Sequence, residues 1–411
     1  MTLFSGKNRI RLLFWFYFVS ISAAVPYMGL YYRHIFNQLH EEHAIKLVTI
    51  LLGIQPLLSL LSNPIAGYIA DRFKIENRVL FFCSVLVVAG TLFLIFPGTG
   101  IIPIPSSTLF FIVCTLGIAI TGLFGGPVFP VITTETLEHI HKNNEPEGSY
   151  GQYRAHASFS WIVFTFCIGS VLFFSQALVL VPVFYLAGHA LIAFTARTGF
   201  QAKIQAAKVP LSLLFRDKSF FIFLIFCFIQ SFSLFGSQFF ISIFFEDSRL
   251  NFIAMGIAFG ISAIPEIPIM LNAKKITAWL GNRKMILVGT IILTAKLVGL
   301  GLAAVYKQPW MIIVIMSIHG LGFGIQTLGM VNYIDLLSHP DLKALYFNLY
   351  TVFGVNIPMA LGLFFNGAIL ELFDSQIMIF ASAVITAVAV LFFIIFVRSP
   401  KKYASTEHLS E

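Results

Sequence analysis

Residues 79–97 read VLFFCSVLVVAGTLFLIFP, a run of 19 residues without a single charged side chain. A helix of about 20 apolar residues is long enough to span the hydrocarbon core of a bilayer, so this run predicts a membrane crossing. The whole chain is similarly apolar: of its 411 residues, 58% are hydrophobic and 11% are charged. A soluble domain carries about 25% charged residues. The composition therefore excludes a soluble globular protein.

Similar apolar runs, bounded by charge, Gly or Pro, recur along the whole chain and predict twelve transmembrane helices. We number them spans 1 to 12, and they lie at about 10–32, 44–70, 79–97, 107–134, 150–174, 178–198, 219–245, 252–273, 284–305, 309–335, 343–370 and 375–397. The predicted fold class is an all-α integral membrane protein.

The longest polar stretch between two crossings follows span 6 and is rich in Lys and Arg. It predicts an N-terminal six-helix bundle over residues 1–198, a basic cytoplasmic linker over 199–218, and a C-terminal six-helix bundle with a short cytoplasmic tail over 219–411. The two bundles are expected to be pseudo-symmetric, with a solute path between them.

The distribution of Lys and Arg predicts the orientation, because basic loops stay on the cytoplasmic side. With the N-terminus inside, 21 of the 26 basic residues lie in inner segments, one lies within span 9, and the four in outer loops are Arg33, Lys46, Arg249 and Lys307. Both termini are thus predicted to be cytoplasmic. The net charge of +8 reports this orientation and does not indicate a nucleic-acid partner.

Three ionisable residues lie inside consecutive spans of the second half: Glu266 in span 8, Lys296 in span 9 and His319 in span 10. An ionisable side chain in mid-bilayer costs at least about 2.5–3.5 kcal/mol, so it needs pairing, water access or a function. We expect these three residues to form one buried polar cluster. Two interpretations stay open at this point, a structural ion pair and a substrate or proton site.

Span 10 carries further polar and aromatic residues on the same helical face as its histidine, because they follow at spacings of three and four. These residues are His319, Phe323, Gln326, Met330 and Tyr333. Such a stripe faces either a cavity or a neighbouring helix.

Span 5 places Arg154, Ser158, Trp161 and Thr165 on one face. A guanidinium offers forked donors and an indole offers a stacking surface, which suits a ligand with hydroxyl or carboxylate groups and a flat apolar side. The alternative is an interfacial anchor in which Arg154 reaches the inner membrane surface. Its position alone favours the anchor.

Two further features lie near the predicted inner surface. Glu135 follows span 4 and could pair with Arg154, although a loop carboxylate is the commoner explanation. Span 2 ends with Gly67, Asp71 and Arg72, an acid beside bases in a short loop. This arrangement predicts a gating latch whose charge pairs form in one conformation and break in another.

The spacing Gly67-x3-Asp71-Arg72 between spans 2 and 3, within a six-plus-six chain, resembles the major facilitator superfamily. A more specific resemblance is to the branch with lactose permease, nucleoside:proton symporters and the phenylpropionate permease. It rests on Tyr150-Gly151-x-x-Arg154-x-x-Ala157-Ser158-x-Ser160-Trp161 in span 5, Glu266 in span 8, Lys296 in span 9, and His319-Gly320-x-x-Phe323-Gly324 in span 10.

This resemblance implies substrate contacts for Arg154, Trp161 and Glu266, which reverses the anchor interpretation. It also implies a role for the carboxylate after span 4, Glu135, and proton coupling through spans 9 and 10. One coupling position departs from the pattern: Gly322 stands where lactose permease has a carboxylate.

The sequence therefore predicts a secondary active transporter that imports a sugar, nucleoside or aromatic acid together with protons by alternating access. Glu266 is the expected proton carrier, paired with Lys296 or His319 until it is protonated, and Glu135 is a second candidate. His319 is a third coupling candidate. The expected solute contacts also include Lys296, His319 and Gln326, with Tyr27, Tyr31 and Phe323 as apolar walls.

The alternatives are an uncoupled facilitator or exporter and, least favoured, a membrane sensor that does not transport. Enzyme activity, a cofactor and a metal site are not expected, because the sequence has no nucleotide-binding GxxxxGK[ST] motif, no Ser/His/Asp arrangement and no metal-ligand spacing of its cysteines. The expected partners are a small solute, protons and the lipid bilayer. We expect a monomer in a bacterial inner membrane.

Overall fold

The protein is described here by a computed structural model, which covers residues 6–73, 76–99, 106–145, 149–197, 218–338, 346–347 and 349–398. Within these ranges, the side chains of 67–73, 138, 141 and 149 are outside the description. Every regular element in the described residues is a helix. The predicted linker at 199–218 falls almost entirely outside the described residues.

The first half contains spans 1 to 6. Their helices are Gly6–Gln38, Ala44–Phe73, Glu76–Gly98, the pair Ser107–Gly125 and Val128–Lys142, Ser149–Ser175, and Leu180–Ala196.

The second half contains spans 7 to 12. Their helices are Lys218–Gln238 followed by Ile241–Asp247, the pair Phe252–Ala263 and Glu266–Leu271, Asn282–Val305, the pair Pro309–Ser317 and His319–Leu337, the π-helix Tyr350–Asn356 continued by Ile357–Leu372, and Ser375–Phe396. The short helix Ala273–Leu280 connects spans 8 and 9.

Eleven helices in the described residues are long and apolar enough to cross a membrane. The remaining predicted crossing, span 6, is the apolar helix Leu180–Ala196 of 17 residues. The predicted all-α membrane fold is therefore confirmed, and each predicted span corresponds to a helix or a broken helix.

Four spans are interrupted, and two of the interruptions place ionisable residues. Span 8 breaks at Pro265, whose ring cannot donate a backbone hydrogen bond, and Glu266 is the first residue of the segment that follows. Span 10 breaks at Ile318, and His319 begins its second segment. Irregular backbone at membrane depth is tolerated where protein or a cavity can satisfy its polar groups. Glu266 and His319 thus each occupy the first position of a helix segment inside the protein.

Glycines let the two halves approach closely along spans 5 and 8. A Cβ atom on Gly256 of span 8 would lie 2.7 Å from the Thr165 carbonyl oxygen of span 5. Between spans 1 and 7, a Cβ on Gly29 would lie 2.9 Å from the Phe239 oxygen. In a bilayer, where lipid is as apolar as the side chains, helices associate through such close backbone packing.

Ion pairs join the halves at the end predicted to face outside. The Arg33 guanidinium of span 1 lies 3.2 Å from Glu246 and 3.0 Å from Asp247, which both follow span 7. The His43 ring at the start of span 2 lies 3.1 Å from the Glu371 carboxylate of span 11. We call these contacts the outer pairs.

The buried apolar clusters show the same asymmetry between the two ends. One large cluster at the outer end contains residues of both halves, such as Tyr27 and Phe36 with Phe244 and Phe259. Toward the inner end, the clusters of described residues belong to one half each: one around Phe14 and one around Phe226. Among the described residues, the apolar cluster that both halves share thus lies toward the outer end. Spans 5 and 8 also meet toward the inner end, where a Cβ on Gly151 would lie 3.4 Å from the Met270 carbonyl oxygen.

The packing at Gly256 predicts a loss of stability in Gly256→Ala. The added methyl group would push against a backbone oxygen that cannot move away freely, and such overpacking costs about 1–3 kcal/mol. Gly260→Ala, one turn along, is the matched control, because its Cβ would lie 3.3 Å from the nearest atom. Thermal unfolding in detergent should show a lower midpoint for Gly256→Ala than for the control. Equal midpoints would contradict the close approach of spans 5 and 8.

The outer pairs predict that Arg33→Gln opens the outer end more often. An exposed ion pair is worth about 0.2–1 kcal/mol, so the open population should rise by at most about fivefold. Distances between spin labels at Glu42 and Leu372, measured by pulsed electron paramagnetic resonance, would report this opening. Arg249→Gln serves as control, because Arg249 has no ion pair with any described residue. An unchanged distance distribution in Arg33→Gln would refute the role of these pairs.

Candidate functional site

An ion pair between Arg154 and Glu266 joins the two halves inside the bundle. Arg154 lies on the second turn of span 5, and Glu266 follows the break in span 8. The guanidinium Nη2 lies 3.9 Å from the carboxylate Oε1, and the two side chains are 17% and 9% exposed. The pair is therefore largely shielded from solvent, and it connects spans that belong to different halves.

Each residue of this pair has a polar atom without a hydrogen-bond partner among the described residues. The Arg154 guanidinium lies over the Phe18 ring at 4.8 Å and near the Phe129 ring at 5.9 Å, so its faces are covered by aromatic groups. Its Nη1 and the Glu266 Oε1 have no hydrogen-bond partner among the described residues. A buried polar group without a partner is costly, which makes both atoms natural contacts for a polar ligand.

The predicted ion pair of Glu266 with Lys296 or His319 is wrong for this structure. Glu266 faces Arg154 across the interface between the halves, with Ser158 of span 5 also beside its carboxyl group. Pro265 turns the chain just before Glu266, and the helix segment that follows packs against span 5 as well as span 10. Arg154 accordingly points at the second half and does not extend outward as an interfacial anchor.

Trp161 also bridges the halves. Its indole Nε1 donates a hydrogen bond of 2.9 Å to the Phe259 carbonyl oxygen of span 8, and its ring packs edge-on against Phe18 at 6.4 Å. The Trp161 N–H group is therefore occupied in holding spans 5 and 8 together in this conformation.

Lys296 and His319 form a separate polar group within the second half. Lys296 is 1% exposed and forms no ion pair with any carboxylate in the described part of the chain. Its ammonium group is close enough to act electrostatically on the His319 ring, which stacks on Phe323 at 5.6 Å. The expected single cluster is thus divided, with the acid on one side and the two basic groups on the other.

The rest of the span 10 stripe packs against protein. The Gln326 side chain donates a 2.7 Å hydrogen bond to the Thr290 hydroxyl of span 9. The Tyr333 hydroxyl donates to the Arg398 carbonyl oxygen at 2.6 Å, in the inner cluster of the second half. Of the two interpretations of this face, packing against a neighbouring helix holds for these two residues.

Glu135 does not pair with Arg154, so that alternative is wrong. Its carboxylate forms a short ion pair with Arg9 of span 1. Arg9 is 3% exposed and also donates to Asn77 of span 3 and to the Thr195 carbonyl oxygen, the latter at 3.3 Å. Four spans of the first half meet at this network, which gives Glu135 a structural environment at the inner end.

The structure places Tyr27 and Tyr31 in the outer cluster, where they are almost fully buried. The Tyr27 hydroxyl lies 3.3 Å from the Thr165 carbonyl oxygen, and the Tyr31 hydroxyl donates to the Leu94 carbonyl oxygen. Tyr27 also contacts Phe259 of the second half, with ring centroids 6.1 Å apart. These tyrosines lie where the halves are closed against each other.

The predicted latch residues fall at the end of span 2, whose helix reaches Phe73. The side chains of Gly67, Asp71 and Arg72 lie outside the described residues, so the latch stays a prediction.

The sequence reasoning missed a polar cavity of about 170 Å³ near the site. Its lining includes Tyr17 of span 1, Gln55 and Ser59 of span 2, and Tyr185 and His189 of span 6, together with Phe239 and Met359 of the second half. A signal was present in the sequence, because Gln55 and His189 are polar residues in the middle of apolar runs.

Comparison with known proteins agrees with this architecture. A family model described as the MFS_1 like family matches residues 8–381. The uncharacterized transporter YwbF of Bacillus subtilis (strain 168) is 22% identical over 348 residues, which cover 82% of this chain and 80% of YwbF.

Two solved structures share the fold at low sequence identity. The nucleoside transporter NupG is 15% identical with a TM-score of 0.75, over 96% of this chain and 99% of NupG. A D-xylose-proton symporter is 12% identical with a TM-score of 0.72, over 95% of this chain and 97% of the symporter. With twelve helical spans in the part of the chain that the structure describes and a family match over most of its length, the chain belongs to the MFS_1 like family and is a membrane transporter of the major facilitator type.

Proposed function

We propose that this transporter imports a small polar organic solute together with a proton, by alternating access between its two halves. The observation that carries the proposal is the Arg154–Glu266 ion pair, which connects the halves toward the inner end of spans 5 and 8. The solute classes that we consider are sugars, nucleosides and aromatic acids. NupG is a nucleoside transporter and the second structural relative is a D-xylose-proton symporter, which favours the first two classes.

Glu266 is the proposed proton carrier. When its carboxylate is ionised, it holds Arg154 across the interface; when it takes up a proton, it loses the charge that attracts the guanidinium. Protonation thus releases Arg154, whose forked donors can then bind a hydroxyl or carboxylate group of the solute. Because the pair spans both halves, its making and breaking can accompany their relative movement.

The proposed role of Lys296 and His319 differs from that of Glu266. Both lie within the second half, on spans 9 and 10, and His319 Nδ1 has no hydrogen-bond partner among the described residues. An uncompensated buried cation is costly, so a polar or anionic group of the solute would stabilise Lys296. We therefore assign the Arg154–Glu266 pair to coupling and Lys296 with His319 to solute binding.

An uncoupled facilitator or exporter is the second candidate, and one observation favours it. Gly322 stands where the lactose-permease relatives have a carboxylate, and a Cβ there would lie 2.9 Å from Ile292 and 3.0 Å from Leu293 of span 9. The position is a tight contact between helices, with no room for a proton-carrying side chain. Proton coupling in this chain would therefore need a group other than residue 322, and Glu266 is the one that we propose.

Glu266→Gln tests coupling directly. Glutamine mimics the protonated carboxyl group and cannot release a proton, so the variant should exchange uridine or D-xylose across proteoliposome membranes but not concentrate it under an inward pH gradient. Glu246→Gln, in an outer pair, is the control that should still concentrate the solute. If Glu266→Gln still accumulates solute, Glu266 is not the proton carrier. If the wild type transports equally well without a gradient, the facilitator is correct.

Arg154→Gln tests solute recognition. A hydrogen bond to a charged group contributes about 1.5–3 kcal/mol, so affinity for uridine or D-xylose should fall by about 10- to 100-fold. Arg154→Lys should also bind more weakly, since an ammonium group lacks the planar fork. Arg197→Gln is the matched control, because Arg197 lies over the Phe81 ring at 5.3 Å outside the path. Unchanged dissociation constants in Arg154→Gln, measured by isothermal titration calorimetry, would contradict the assignment.

A further inference from the structure

The polar cavity of the first half has a lining that suits an uncharged, hydroxyl-bearing ring. Its volume of about 170 Å³ corresponds to roughly five or six water molecules at about 30 Å³ each. The polar side chains around it are two phenols, one amide, one imidazole and the Ser59 hydroxyl, with no carboxylate, ammonium or guanidinium group in the lining. Such a site offers several hydrogen bonds and no partner for a formal charge.

His189 brings to this cavity a buried ring whose Nδ1 the described protein leaves unpaired. The residue is 1% exposed, its ring packs edge-on against Tyr185 at 4.9 Å, and its Nδ1 has no hydrogen-bond partner among the described residues. A buried imidazole nitrogen is normally satisfied by protein or by a bound molecule. Gln55 lies within hydrogen-bond reach of the Tyr185 hydroxyl, so its amide also borders the same space.

The cavity adjoins the Arg154–Glu266 pair through one aromatic layer. The Tyr17 ring lies 5.1 Å from the Phe129 ring, which in turn lies 5.9 Å from the Arg154 guanidinium carbon. Arg154 is also close enough to act electrostatically on the Tyr17 hydroxyl. A solute of two linked rings could therefore contact Arg154 at one end and the cavity at the other.

Both halves enclose this space, which connects it to the transport cycle. Phe239 of span 7 and Met359 of span 11 close it from the second half. A movement of the halves would carry these two apolar side chains away from the cavity and expose its polar wall.

We propose that Tyr17, Gln55, Tyr185 and His189 form a second solute subsite, which binds an uncharged polyhydroxylated ring such as a pentose. This inference rests on the proposed function and narrows its solute class. An aromatic acid with a bare phenyl ring would offer no hydrogen bond to the unpaired His189 Nδ1, so the subsite selects against it.

The test is binding of uridine, D-xylose and 3-phenylpropionate to the purified full-length chain in nanodiscs. We expect the wild type to bind uridine or D-xylose more tightly than 3-phenylpropionate. Gln55→Leu and His189→Phe should each weaken binding at least tenfold, because they keep the volume but remove hydrogen-bonding groups. His189→Gln should return the affinity to within about threefold of the wild type, and His34→Phe, on the exposed outer end, should leave it unchanged.

Several outcomes would overturn the subsite. The subsite would be refuted if both Gln55→Leu and His189→Phe bind the solute as tightly as the wild type. It would also be refuted if these variants keep their affinity but lose pH-driven accumulation, because His189 would then take part in proton transfer. If His189→Gln binds the solute as weakly as His189→Phe, and both variants have the same lowered unfolding midpoint, then His189 has a structural role only. Binding that is lost in Arg154→Gln but not in the cavity variants would leave the proposed function intact and refute this subsite alone. A wild type that binds none of the three probes would refute both.

Discussion

The close approach of spans 5 and 8 is the constraint on which the candidate site depends. Lipid offers helices no hydrophobic reason to associate, so they need small residues and polar contacts at their interfaces. Gly256 supplies the close backbone contact, and Trp161 and Arg154 supply polar contacts to Phe259 and Glu266. All three contacts run between halves. The same interface therefore holds the outer-closed conformation together and positions the charged pair.

The charges inside the bundle are distributed in a way that separates their roles. Arg154 and Glu266 neutralise each other across the interface, whereas Lys296 lies within the second half without an ion pair to any described carboxylate. Breaking a buried pair by removing one charge is strongly destabilising, at about 3–5 kcal/mol. When a proton neutralises Glu266, the ion pair is lost and the interface between the halves is destabilised. A solute that binds Arg154 can offset this loss. In the proposed coupling, Arg154 thus exchanges the Glu266 carboxylate for the solute.

The structural relatives share the architecture, and the candidate site of this chain depends on its own side chains. A tight helix contact occupies position 322, and the acidic residue after span 4, Glu135, pairs with Arg9 inside the first half. The polar cavity beside Tyr17 and His189 draws on spans 1, 2 and 6. If both proposals hold, the solute path has a charged end at Arg154 and an uncharged polar end at this cavity.

The sequence by itself determined the membrane fold, because a run such as residues 79–97 cannot be solvated in any other environment. It also singled out Glu266 as an ionisable side chain in an apolar run, whereas Arg154 and Trp161 became site candidates through the resemblance of span 5 to a known family. Only the tertiary structure decided the pairing. Periodicity places residues on one helix face, but which helices adjoin depends on the packing of all twelve and on the break at Pro265. That packing turned Glu266 toward Arg154, left Lys296 with His319, and enclosed the cavity beside His189.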